Sequence, residues 1–105
     1  RDIIRDRIVN SKWEKQKESL ATITLIYDHH ATGLIEKLVS MQHDFKGKVI
    51  SSMHVHLDHD HCLEINVLQG DPKEIQKLTS QMLATKGVLH GGVIPTAVKP
   101  GTFKI

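Results

Sequence analysis

Residues 53–64, Met53-His54-Val55-His56-Leu57-Asp58-His59-Asp60-His61-Cys62-Leu63-Glu64, hold four of the chain's eight histidines and its only cysteine. Alternation on both sides of a polar middle predicts two strands joined by a turn. His54 and His56 are two apart on a strand and project from one side. With Asp58-His59-Asp60 as the turn, His56 falls opposite Cys62 and His54 opposite Glu64. Directly opposed residues point the same way, with Cβ atoms about 4.5–5.5 Å apart. Two imidazoles and a thiolate therefore converge on one side of a hairpin. By the same alternation His61 points away from Cys62.

That donor set suits zinc, copper or nickel rather than magnesium or calcium. Tetrahedral geometry would favour zinc, and a flat set of four would favour Ni(II) or Cu(II). The hairpin supplies three ligands, so a fourth comes from elsewhere. His43 at the end of the first helix is the leading candidate, with His29 and His30 at its start and His90 beside Gly91 as others. A neighbouring subunit could donate it. Glu64 is placed to orient His54. The competing reading makes Cys62 a nucleophile with His56 as its base. Neither an oxyanion-hole loop nor a substrate-pocket signal accompanies it, and the surplus imidazoles go unexplained, so an enzyme is not expected.

The rest of the chain has to frame that hairpin. Leu20 to Tyr27 is β-branched and alternating, a strand. Asp28 is expected to cap a helix whose buried face is Leu34, Ile35, Leu38 and Val39, ending near His43. Lys48 to Leu57 forms the second strand, with Val49, Ser51, Met53, Val55 and Leu57 on one face. His61 to Gln69 forms the third, with Leu63, Ile65 and Val67 expected toward the core. Asp71, Pro72 and Glu74 give N-cap, first helical residue and capping box to a helix that buries Ile75, Leu78, Met82 and Leu83 and stops at Gly87. Val88 to Ile94 is a last strand interrupted by Gly91-Gly92, and Pro95 opens a loose tail.

The order βαββαβ predicts an α+β, ferredoxin-like domain: a four-stranded antiparallel sheet with two helices on one face. The other face is left open, and sheets of this kind commonly bury it against a copy of themselves. With 105 residues there is room for one domain and an appendage. A net charge of +2 is too small to argue for nucleic acid. A single cysteine excludes an internal disulfide and suits the reducing cytoplasm, and no apolar run is long enough for a membrane partner. Residues 1–18 are highly charged around Ile3, Ile4, Ile8, Val9 and Trp13. They read as a solvated arm, or as the end of a helix from an N-terminal domain followed by a linker. Residues 19–95 form the domain and residues 96–105 the tail.

Gln42-His43, His54-Val55-His56, Asp58 through Glu64, and Lys86-Gly87-Val88-Leu89-His90-Gly91 together resemble the metal-binding regulatory domain of the nickel-responsive transcriptional regulators, the NikR-like branch of the ribbon-helix-helix repressors. The resemblance spans about residues 20–95. It implies an ACT-like domain forming the core of a homotetramer and holding one Ni(II) per subunit. It implies a square-planar ligand set of His54, His56 and Cys62, with His43 donated by a neighbouring subunit. Glu64 matches a supporting acid near the site, and Tyr27 and His29 match positions lining its approach. Operator DNA would be the partner of an N-terminal ribbon-helix-helix domain. The reading β-ribbon of that domain is missing here, and only residues 1–5 resemble the end of its second helix. The chain as given is thus expected to bind metal and oligomerise without recognising an operator. The alternative is a ferredoxin-like regulatory domain that binds a small metabolite and no metal.

Overall fold

The computed structural model describes residues 19–96. The expectations for residues 1–18 and 97–105 lie outside the described residues. The elements run β1 (Ser19–Asp28), α1 (Leu34–His43), β2 (Lys48–His56), β3 (His61–Gly70), α2 (Pro72–Leu83) and β4 (Val88–Thr96). The sheet order is β2-β3-β1-β4 with every neighbouring pair antiparallel. This is the expected ferredoxin-like arrangement.

The two central strands carry the core. On β1, Ala21, Ile23, Leu25 and Tyr27 are buried, and the intervening residues are half-buried. They meet Leu34 and Leu38 of α1 and Ile75, Leu78 and Met82 of α2. Each such aliphatic side chain, fully removed from water, contributes about 1.5–3 kcal/mol. At the start of α2 the Asp71 carboxylate accepts a hydrogen bond from the Lys73 amide at 2.8 Å, with Pro72 as the first helical residue.

The structure corrects several orientations. On β3 the core-facing residues are Cys62, Glu64, Asn66 and Leu68, whereas Leu63, Ile65 and Val67 lie half-buried on the open face. Their β1 partners Tyr27, Leu25, Ile23 and Ala21 are buried too. Apolar alternation pointed the other way because Glu64 and Asn66 occupy core positions. Hydrogen bonding between them makes that tolerable. On β2 the pairing register shifts between Val49 and Ser51. Val49 therefore packs on the core while Ser51, Met53 and Val55 face the other side.

Asp28 does not cap α1. It ends β1, and its carboxylate accepts from the His30 amide at 2.9 Å. The N-cap is Gly33, left-handed at φ 74°, with no side-chain cap. Of the face expected on α1, only Leu34 and Leu38 are buried, while Ile35 (45%) and Val39 (56%) are exposed. Leu83 on α2 is also partly exposed, and Thr79 takes the buried position with its hydroxyl on the Ile75 carbonyl. β4 runs through Gly91-Gly92 to Thr96, and Pro95 is accommodated because this strand is at the sheet edge.

Candidate metal centre

The β2–β3 register pairs His56 with Cys62 and His54 with Glu64, as the turn position predicted. His56 Nδ1 lies 3.6 Å from Cys62 Sγ. The hairpin is closed by the Leu57 amide on the His61 carbonyl at 3.0 Å, and the Asp58 carboxylate accepts from the amides of Asp60 and His61. Those turn hydrogen bonds, the Asp60 amide first and then the His61 ring, hold the Asp58 carboxyl below the usual aspartate range.

His29 lies closer to the sulfur than His56 does. Its Nδ1 is 3.3 Å from Cys62 Sγ, and its ring stands edge-on to His56 with centroids 4.9 Å apart. The donor atoms of His29, His56 and Cys62 all lie within 4.8 Å of one another. What places His29 there is a backbone hydrogen bond from its amide to the Asp60 carbonyl at 2.8 Å, tying the β1–α1 loop to the hairpin turn. Alternation along a strand carries no signal of such a tie. Cys62 is buried at 8% exposure, while both histidines are exposed. The arrangement is a soft donor at the floor with imidazoles at the rim, suited to a borderline transition-metal ion.

His54 shares the sheet face of His56, but its Nε2 lies against Glu64 Oε1 at 3.6 Å rather than in the compact trio. Glu64 is 2% exposed and accepts from Gln42 Nε2 at 2.8 Å and Asn66 Nδ2 at 2.9 Å. The Ser52 hydroxyl donates to Asn66 Oδ1 at 2.7 Å and extends the network. His43, the last residue of α1, is exposed, follows Gln42 directly, and is not one of the clustered donors. Tyr27 pairs with Cys62 across β1 and β3 and is buried. Its phenol is pushed above the ordinary tyrosine value by burial first, then by the charges of Cys62 and Glu64 and a hydrogen bond with Cys62.

Of the other histidines, His61 turns to the Asp58 carboxylate, Nδ1 to Oδ1 at 2.9 Å, and takes no part in the trio. His90 pairs with Ile26 on the open face of the sheet. His30 lies close to His59 and Asp60, and all three are exposed.

Comparison with known proteins matches residues 20–96 to the NikR C-terminal nickel-binding domain. A nickel-responsive regulator of Solibacter usitatus is 47% identical over 92 residues, covering 87% of this chain and 66% of that protein. One from Methanocella arvoryzae is 46% identical over 104 residues, covering 97% of this chain and 73% of that protein. The chain thus spans about two thirds of the length of such relatives. Among solved structures, the ACT domain of a GTP pyrophosphokinase from Chlorobium tepidum superposes with a TM-score of 0.65, covering 73% of this chain and 99% of that domain. At 10% identity this likeness concerns the fold alone. The thiolate–imidazole hairpin, the ACT-like sheet that carries it and the match across nearly the whole described region agree: the chain belongs to the nickel-responsive regulators, as their C-terminal nickel-binding domain.

Proposed function

We propose that residues 19–95 are the nickel-sensing regulatory domain of a cytoplasmic transcriptional repressor. One Ni(II) per subunit is held by His54, His56 and Cys62, with His43 of a neighbouring subunit completing the set. Residues 1–18 are the end of a ribbon-helix-helix domain plus linker, and operator DNA is bound through that domain. The function is regulatory and not enzymatic. The observation that carries the reading is the register that opposes His56 to Cys62 and sets His54 on the same face. Gln42, bonded to Glu64 opposite His54, keeps the exposed His43 at the adjoining end of α1.

A homotetramer core is supported by the open sheet face. Leu63, Ile65 and Val67 of β3 lie beside Val55, Met53 and Ser51 of β2 and Ile26, Thr24 and Thr22 of β1. Met53 is 57% exposed and Ile94 of β4 is 68% exposed. An apolar face of this extent marks an association surface. A metal site that borrows one ligand across such contacts would make assembly depend on the ion, which is what a regulator needs. When bound, Ni(II) supplies a charge centre that holds the donated imidazole and the hairpin in fixed relation.

The test is an absorption titration with Ni(II) joined to a mass measurement of the oligomer. Wild type should take up one tightly held ion per subunit with a thiolate-to-metal charge-transfer band that Cys62→Ala abolishes. His43→Ala should weaken uptake and uncouple it from assembly. Unchanged affinity in His43→Ala would remove the shared site. The 3.3 Å contact of His29 with Cys62 favours a second reading, in which His29, His56 and Cys62 of one subunit take the ion without His54.

A further inference from the structure

We propose that Trp13 seats in the groove between α1 and α2 of its own subunit. The groove has a volume of about 500 Å³, ample for an indole. Leu78 is buried at its floor, and Met41 and Phe45 are half-buried on its α1 side. An indole laid on these side chains covers apolar surface that the domain by itself leaves partly in water. The rim carries both signs of charge, Asp44 and Glu74 with Lys46 and Lys77. Among the described residues, none of these four is ion-paired with another.

Chain geometry selects this occupant. Trp13 is the only tryptophan, and residues 10–18 contain no other apolar side chain, so this stretch cannot bury the indole by itself. The segment enters the domain at Ser19, which pairs with Gly70 at the end of β3. A Cβ added to Gly70 would lie 3.2 Å from Phe45 Cζ, so the start of β1 and the Phe45 end of the groove are neighbours. Six residues carry the chain from Trp13 to Ser19, enough to span about 20 Å when extended. Residues 97–105, which include Phe103, instead follow β4, the edge strand on the far side of β1 from β3. That exit is one strand further from Phe45.

The charges agree with this seat. Lys12 and Lys15 beside the indole match Asp44 and Glu74, and Glu14 matches Lys46 and Lys77. Exposed pairs of this kind are worth little each, so the indole is the anchor and the charges set its direction. The wall that receives it is the last turn of α1, which ends in His43, together with Asp44 and Phe45. A seated Trp13 therefore ties the N-terminal segment to the helix end that presents His43. The contact needs no metal, so it stands or falls apart from the nickel reading.

Tryptophan emission of the full chain without metal tests this, because Trp13 is its single tryptophan. Wild type should emit to the blue of tryptophan in water and resist acrylamide quenching. Met41→Glu, which puts a charge on the α1 wall, should shift the emission to the red and raise the quenching while the far-ultraviolet circular dichroism stays the same. Nuclear Overhauser contacts in wild type, from the Trp13 indole to the Met41 methyl and the Phe45 ring, test the same seat without any substitution. Solvent-like emission in wild type, blue emission that survives in a folded Met41→Glu, or contacts to Met41 from Phe103 in place of Trp13 would overturn the proposal. So would contacts found only between differently labelled chains of a mixed sample, which would put Trp13 on a second copy.

Discussion

Gln42 Nε2 donates to Glu64 Oε2 at 2.8 Å, joining the last turn of α1 to a carboxylate that is 2% exposed. Asn66 bonds the same oxygen, and His54 approaches the other one at 3.6 Å. Glu64→Ala would leave two buried or half-buried amides without their acceptor. A destabilisation of about 2–4 kcal/mol is expected in urea denaturation. With His54 as the ligand we propose, removing the carboxylate beside it should also weaken Ni(II) binding by about 10–100-fold. Glu64→Gln, which keeps the shape, should retain more of the stability than of the affinity. Equal affinity in wild type and Glu64→Ala would show that the network is structural only.

Gly87 sits at φ 103° between α2 and β4, where its carbonyl accepts from the Asp28 amide at 2.8 Å. A Cβ there would meet Ala31 Cβ at 2.7 Å and Leu34 Cδ2 at 3.0 Å. Gly87→Ala therefore combines left-handed backbone strain with a clash against the start of α1. A loss of about 1–3 kcal/mol is expected, read as a lower thermal midpoint of the metal-free chain. Gly33, also at positive φ, has nothing within 4 Å of its Cβ position. Gly33→Ala should cost less than Gly87→Ala, and the reverse order would refute the packing argument.

The sequence carried the element order, the hairpin turn and the opposition of His56 to Cys62, because each rests on local signals: alternation, turn residues, the Asp71-Pro72 helix start. The facing of β3 was misread because both parities of that strand look plausible. One set is Leu63, Ile65 and Val67, and the set that is buried includes a carboxylate and an amide. Only the partner side chains, Gln42 from α1 and Ser52 from β2, make burial of Glu64 and Asn66 affordable. Those partners are distant in sequence. The placement of His29 is likewise set by a backbone contact spanning two loops. Ile35 and Val39 fit a buried helical stripe by periodicity, yet only Leu34 and Leu38 reach the sheet.

Met53 and Ile65 are directly paired on the open face, and Met53 is 57% exposed. A charge introduced there meets water in the isolated subunit and an apolar surface in an assembly. Met53→Glu should change the stability of the monomer little, within about 0.5 kcal/mol. It should also shift sedimentation of the protein toward smaller species. A change in monomer unfolding without any change in mass would count against this face as the contact between copies.

His29 and His54 are the two candidates for the third ligand position beside His56 and Cys62. His29 Nδ1 is 3.3 Å from the sulfur, while His54 Nε2 lies 3.6 Å from Glu64 Oε1. In the four-ligand set we propose, His54 takes that position with Glu64 orienting its ring, and His29 is not a ligand. If so, His54→Ala should lose Ni(II) affinity by far more than His29→Ala, and the charge-transfer band of His29→Ala should match wild type. If the single-subunit trio is the working site, the order reverses and the His54→Ala band survives. Because thiolate and imidazole must both shed protons to ligate, binding in either case should weaken as pH falls. Titration of the two variants side by side at one pH separates the readings, since the proton competition is then common to both.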